Sequence, residues 1–297
     1  VVDVPNCLIH HPLINEAAQA LKACMRELNG TSYSDAAHAG LVRALQVVVE
    51  RPSQTAQVVL VCNDHTPATA LPLLDLLRRR LGERLHSSWW NGNAEVTNRI
   101  LGDSFVAHWG PPHVVERIAG ARVFFPPAAF GQNNLDLFDR MVERIHAGVP
   151  AGSRVVELYA GCGAIGLGLA ERCESLVFNE VSPASLAGLA LGIAALPAPL
   201  QQRVSVVPGV AEQAAAAITS ETLVLADPPR KGLAPAVLEV LARQAPHRLT
   251  YLSCEHTSLI RDTELLSAQG LRLQRATVYD AFPYTAHVET LAEFSRA

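Results

Sequence analysis

Apolar positions recur at two different spacings along the chain, and the change between them predicts its organisation. Residues 12–28 carry Leu13, Ala17, Ala20, Leu21, Cys24 and Leu28 at helical spacing. Residues 41–50 and 57–62 are rich in valine and predict two strands, and the short turn with Pro52 and Ser53 makes them antiparallel. Residues 66–85 predict a second helix, capped by Thr66 ahead of Pro67, with Arg78, Arg79 and Arg80 favourably placed for the helix dipole. A β-rich stretch with turn residues such as Asn91-Gly92-Asn93 occupies 87–127. Then the period changes. Residues 134–146 predict an amphipathic helix, after which short apolar runs at 154–159, 176–179, 204–207, 222–226 and 248–253 alternate with helical segments, including 165–172 and an alanine-rich stretch to about Leu196. Strands alternating with helices predict a parallel sheet covered on both faces. The expected division is a smaller α+β domain over 1–124 and an α/β domain over 125–297.

Composition narrows the class. With 49% hydrophobic and 18% charged residues the chain can bury a core, which argues against a disordered protein. No apolar run reaches a membrane span. The six cysteines form no CxxC pair and no zinc pattern, so a reducing cytoplasmic setting is expected, with no metal site. The net charge of −4 carries no signature of nucleic-acid binding, although a local basic patch would suffice for it. The start Val1-Val2-Asp3, without methionine, reads as a fragment or a processed form.

The candidate chemistry lies at the ends of the predicted strands. The turn Tyr159-Ala160-Gly161-Cys162-Gly163 follows the first strand of the second domain, where ligands bind in open parallel sheets. Gly161 and Gly163 permit close backbone approach, and Glu180 after the next strand is placed to accept from two ribose hydroxyls. The spacing is not GxGxxG, which favours S-adenosylmethionine over a dinucleotide. Asp227-Pro228-Pro229-Arg230 ends a later strand, where its acceptors could face the crevice or simply form a surface turn. Cys254 ends another, among polar Ser253, Glu255 and His256, a setting that suits thiolate chemistry where buried cysteines serve as small hydrophobes. Glu289 by itself reads as a solvated strand residue.

Taken in order, Phe130-Gly131-Gln132-Asn133-Asn134, Glu157 through Gly163, Asn179-Glu180, Asp227-Pro228-Pro229-Arg230-Lys231-Gly232, Ser253-Cys254 and Phe282-Pro283 through His287-Val288-Glu289 resemble the uracil-C5 RNA methyltransferases. The resemblance spans roughly residue 85 to the end. It implies a class I (Rossmann-like) S-adenosylmethionine-dependent methyltransferase domain, and uridine C5 methylation in rRNA or tRNA through a covalent Cys–C6 intermediate. It further implies Cys254 as nucleophile and Glu289 as proton acceptor. Gln132, Tyr159, Gly161, Gly163, Glu180 and Asp227 would line the cofactor site, and Arg230, Gln132 and Asp227 would bind substrate. The alternatives are a methyltransferase of this fold acting on another RNA atom, or a degenerate homologue that binds without turnover. The family's usual Asn-Pro after the cysteine is replaced by Glu255-His256, and Ala164 stands where many members have asparagine. Many members carry a four-cysteine iron–sulfur cluster, and none is expected in this chain, since Cys7 cannot hold one alone.

Overall fold

A computed structural model describes residues 3–296, so Val1, Val2 and Ala297 lie outside the described residues. The chain divides into two compact units, one running to Glu116 and including Phe125–Ala128, the other formed by Arg117–Phe124 and the chain from Ala129 onward. In the first unit, α1 (Pro12–Glu27), β1 (Val42–Glu50), β2 (Thr55–Cys62), α2 (Leu71–Leu81), β3 (Leu85–Gly92) and β4 (Ser104–Trp109) build a sheet of order β1-β2-β3-β4. β1 and β2 pair antiparallel, as the short turn requires, whereas β2 and β3 pair parallel through α2. The second helix begins at Leu71, not Thr66. Asp64 accepts from the amides of His65 and Thr66 and from the Thr69 hydroxyl, holding residues 64–69 in a turn before the helix can start. β5 (Val114–Ile118) and β6 (Ala121–Phe125) form a hairpin in which the chain passes between the units, so no single cut at 124 divides it.

The second unit continues with α3 (Leu135–Gly148), β7 (Arg154–Leu158), β8 (Ser175–Glu180), α4 (Pro183–Ala194), α5 (Ala198–Gln201), β9 (Val204–Pro208), β10 (Thr222–Ala226), α6 (Pro235–Gln244), β11 (Arg248–Ser253), α7 (His256–Ala268), β12 (Leu271–Tyr279) and β13 (Glu289–Arg296). Its seven-stranded sheet has the order β12-β13-β11-β10-β7-β8-β9. Strands β7 to β11 are mutually parallel, and the inner ones, β7, β8, β10 and β11, are mainly apolar and largely buried, as strands covered on both faces are, while β9 is a partly exposed edge. β13 runs antiparallel to both neighbours. Its first residue therefore lies at the same sheet edge as the carboxyl ends of the parallel strands. The strand order reverses at β7, which opens a crevice beside its carboxyl end.

The helix expected over 165–172 is absent; the chain makes turns and a single 3-10 turn at Leu167–Leu169. Glycines at 163, 166 and 168 weaken helix formation, and His146 Nε2 donates to the Ile165 carbonyl at 2.7 Å, taking an acceptor a helix would use. The glycines are there for close packing. A Cβ at Gly166 would collide with Glu157 Oε2 and lie 2.8 Å from Phe178 Cε1, and one at Gly168 would lie 2.6 Å from His146 Cε1. Gly166→Ala is accordingly expected to destabilise the fold by about 1–3 kcal/mol in urea denaturation, despite alanine's better helix propensity.

Candidate active site

Four strand ends and the start of the reversed strand bring the candidate residues to one edge of the second unit. At the first, Gly161 and Gly163 both have positive φ, +57° and +79°, but for different reasons. A Cβ at Gly163 would strike Leu189 and Leu167, so this glycine serves packing. A Cβ at Gly161 would meet nothing within 4 Å, so its backbone faces open space. Glu180 is buried opposite it. Its Oε2 accepts from the Gly161 amide at 2.8 Å, and its Oε1 accepts from the amides of Val181 and Ser182 at 2.8 and 2.6 Å. Three of about four carboxylate lone pairs are thus occupied, which leaves one acceptor for a ribose hydroxyl where two were expected. Glycine backbone open to the crevice, beside an acidic acceptor, suits the nucleoside end of S-adenosylmethionine. Tyr159 holds a positive φ of 58° at the end of β7. Its ring packs on the apolar cluster of β10 and α6, and its phenol faces the Ala234 backbone. Cys162 is buried, which pushes its thiol up to about 12 and keeps it neutral.

The second group is acidic. Asp227 follows β10, and Gln132 Nε2 donates to its Oδ2 at 3.3 Å. Burial, then the neighbouring Glu289, raise its carboxyl to about 7, with Gln132 opposing. Glu289, the first residue of β13, is 3% exposed, and its Oε2 has no hydrogen-bond partner among the described residues. Burial raises it to about 7, with Arg230 opposing. The two carboxyls interact, so their protons belong to the pair. Cys254 follows β11, whose Ser253 pairs with Thr290, and the ladder thus brings Cys254 beside Glu289. Half-burial raises its thiol, Glu289 and Asp227 add to this, and Arg230 opposes it. Cys254, Glu289, Asp227, Gln132 and Arg230 therefore form one cluster.

Glu255 resolves the replacement of Asn-Pro. It is the N-cap of α7, its Oε1 accepting from the Thr257 amide at 3.1 Å, so it satisfies an orphan helix donor as asparagine does. The same contact lowers its pKa, helped by His256 and His287. Glu255→Ala is expected to cost about 1 kcal/mol of stability, and Glu255→Asn to restore it, both read from thermal melts. The loop before Glu289 is organised by Thr285, whose hydroxyl donates to the Phe282 carbonyl at 2.7 Å and accepts from the His287 amide at 3.1 Å. The His287 ring meets Phe282 edge-on.

Sequence reasoning gave Glu157, quoted only as the start of the glycine-turn motif, no role of its own, and passed over Asp262. Glu157 is buried beneath the glycine turn, and burial with Asp227 nearby raises its carboxyl well above the usual range. Asp262 is fully buried on α7, and its Oδ2 accepts from the Leu233 amide at 2.8 Å and from the Tyr251 hydroxyl at 2.9 Å. Its signal was available: Ser258 and Asp262 lie four residues apart on the face of α7 that also carries Leu259 and Leu266.

The reversed strand beside β11, the strand order and the glycine turn facing an acidic residue define the class, an S-adenosylmethionine-dependent methyltransferase. A sequence model of the tRNA (Uracil-5-)-methyltransferase family matches residues 117–296, and the chain belongs to this family. An uncharacterised RNA methyltransferase of Protochlamydia amoebophila is 33% identical over 301 residues, covering 99% of this chain and 79% of that protein. One from Caldanaerobacter subterraneus is 29% identical, covering 100% of this chain and 66% of that protein. Among solved structures, the Pyrococcus abyssi tRNA (uracil-54, C5)-methyltransferase in complex with S-adenosyl-L-homocysteine has a TM-score of 0.80 at 21% identity, covering 99% of this chain and 70% of that one. The M. jannaschii tRNA m1G37 methyltransferase has a TM-score of 0.55 at 12% identity, covering 93% and 78%, a likeness of fold. Among the described residues no helix is long and apolar enough to cross a membrane.

Proposed function

We propose that this protein methylates C5 of a uridine in rRNA or tRNA, using Cys254 as nucleophile and Glu289 as base. The observation that carries this reading is the placement of Cys254, which follows Ser253 of β11, beside Glu289, which precedes that serine's partner Thr290 in β13, with one Glu289 carboxylate oxygen buried and without a hydrogen-bond partner among the described residues. Uracil C5 is a poor nucleophile. Addition of the Cys254 thiolate at C6 pushes the C5–C6 electron pair toward O4 and gives C5 carbanion character. When bound, S-adenosylmethionine supplies the electrophilic methyl group that C5 receives; Gly161 and Glu180 are the residues that would hold its nucleoside end. Glu289 then takes the C5 proton, the C5–C6 double bond re-forms, and Cys254 leaves as thiolate. Asp227, fixed by Gln132, meets the polar edge of the uracil, and its raised pKa lets it donate to O4 as charge develops there. Arg230 offsets the acidic surroundings of the thiol. The target base must be unstacked or flipped to reach this edge.

The Glu255 cap supports a competent nucleophile loop, which favours turnover over a binding-only homologue. The test is transfer of labelled methyl groups from S-adenosylmethionine into unmodified total RNA, with nucleoside masses determined. The expected product is 5-methyluridine; a methylated guanosine, or cofactor binding without incorporation into any RNA, would overturn the reading. Sizing the labelled RNA separates tRNA from rRNA.

A further inference from the structure

The Arg230 guanidinium is exposed and has no hydrogen bond among the described residues. Its backbone, by contrast, is held firmly. Ser258 Oγ lies 3.0 Å from the Arg230 carbonyl and 3.0 Å from the Glu255 carbonyl, so one buried hydroxyl bridges the loop carrying the cation and the residue after the nucleophile. Arg261 Nη2 donates to the Lys231 carbonyl at 2.9 Å, and Asp262 Oδ2 accepts from the Leu233 amide at 2.8 Å. Gly232 has φ +78°, and a Cβ there would lie 2.5 Å from Asp262 Oδ2, 2.8 Å from Arg261 Nη2 and 3.0 Å from Ser258 Cβ. The glycine thus lets the loop lie directly against α7, the helix whose N-cap is the residue after Cys254.

We propose that Ser258 is a positioning residue: it ties the Arg230 backbone to Glu255, the residue after Cys254, and with Asp262 fastens the Arg230–Leu233 loop to α7, so that the Arg230 side chain leaves the loop at a fixed place relative to the Cys254 segment. The role rests on the reading of Cys254 as nucleophile. The guanidinium itself samples several rotamers, so its average distance from the thiol is set by where the backbone of Arg230 stands, and a loop released from α7 would let that anchor point drift. The fastening keeps it as the cation opposing Glu289 and Asp227, the two carboxyls that face Cys254 from β13 and from the end of β10, while Glu255 and His256 flank the thiol on its own segment.

The test reads the thiol directly. The full chain is alkylated with iodoacetamide across pH 6–10, and modification of the Cys254 peptide is followed by mass spectrometry, with no RNA or cofactor present. Arg230→Gln sets the full effect, an about 3- to 10-fold slower alkylation at pH 7 with an unchanged plateau at high pH. Ser258→Ala and Gly232→Ala are expected to shift the profile the same way, and Ser258→Ala combined with Arg230→Gln to add nothing further. A Ser258→Ala profile matching the unaltered protein, or one that adds to the Arg230→Gln shift, would overturn the proposal. Thermal melts report folding, and if Gly232→Ala does not fold, Ser258→Ala decides alone. Failure to form 5-methyluridine in RNA would remove the proposed function and leave this result intact, so the two failures are distinguishable.

Discussion

Cys254→Ala is expected to lower 5-methyluridine formation by at least about 10³-fold while changing cofactor affinity less than about 2-fold. The asymmetry follows from placement. Cys254 follows β11, whereas Gly161 and Glu180 follow β7 and β8 on the far side of β10. Among the described residues no hydrogen bond links the thiol to the Gly161–Glu180 pair, whose Glu180 carboxylate accepts from the Gly161, Val181 and Ser182 amides. Without C6 addition, C5 keeps its ordinary aromatic-like inertness, and positioning alone cannot supply the missing nucleophilicity. The variant should also fail to form a denaturation-resistant adduct with 5-fluorouridine-containing RNA, which the unaltered protein should form because fluorine cannot leave as a proton does. Initial rates, calorimetric titration with S-adenosylhomocysteine and gel retention of labelled RNA check the three parts. Retention of more than a tenth of the rate would remove Cys254 from the nucleophile's role and favour methylation at an atom that needs no covalent activation.

The strand pattern was legible where burial is one-sided in its consequences. β7, β8, β10 and β11 are largely buried, so each is a short, mainly apolar run, and Glu180, Asp227 and Cys254 were found at their ends. The direction of β13 was not legible, because nothing in Glu289–Arg296 encodes antiparallel pairing with β11. Glu289 consequently looked solvated by itself and gained its place only through resemblance. The segment after the glycine turn misled for the opposite reason. Ile165, Leu167 and Leu169 carry apolar character, while the glycines between them answer to contacts with Glu157, Phe178 and His146 that lie 9 to 22 residues away. Asp262 lies on the apolar face of α7, which marks it as buried, but its partners, the Leu233 amide and the Tyr251 hydroxyl, meet it only in the folded chain. Local periodicity reports what a residue hides from water, and it does not report which distant group it hides beside.

Glu289→Gln is expected to convert a transient adduct into one that accumulates. Glutamine preserves the shape of the site and the addition at C6, but cannot accept the C5 proton, so methylated RNA should remain attached to Cys254 and multiple-turnover rates should fall by about 10²–10⁴-fold. A single-turnover experiment should still show methyl transfer into the protein-bound RNA; if no adduct builds up, another group takes the proton. The pH dependence has a definite sign. With the carboxyl raised to about 7, the basic form is lost as pH falls, so the unaltered enzyme should slow by about tenfold per unit below that value. Stability runs the other way. A raised carboxyl binds its proton more tightly folded than unfolded, so its contribution is fully present below the ordinary value of 4.5 and is lost as pH rises through about 7. At pH 8 the buried Glu289 carboxylate is therefore a burden, increased by its repulsion of Asp227. Glu289→Gln removes that burden and should melt higher than the unaltered protein at pH 8, by an amount equivalent to about 1–2 kcal/mol, with the gap closing toward pH 5. A variant that is more stable yet arrested with its product attached would tie the base and the strained carboxyl to the same side chain, since a merely structural glutamate would lose stability when neutralised.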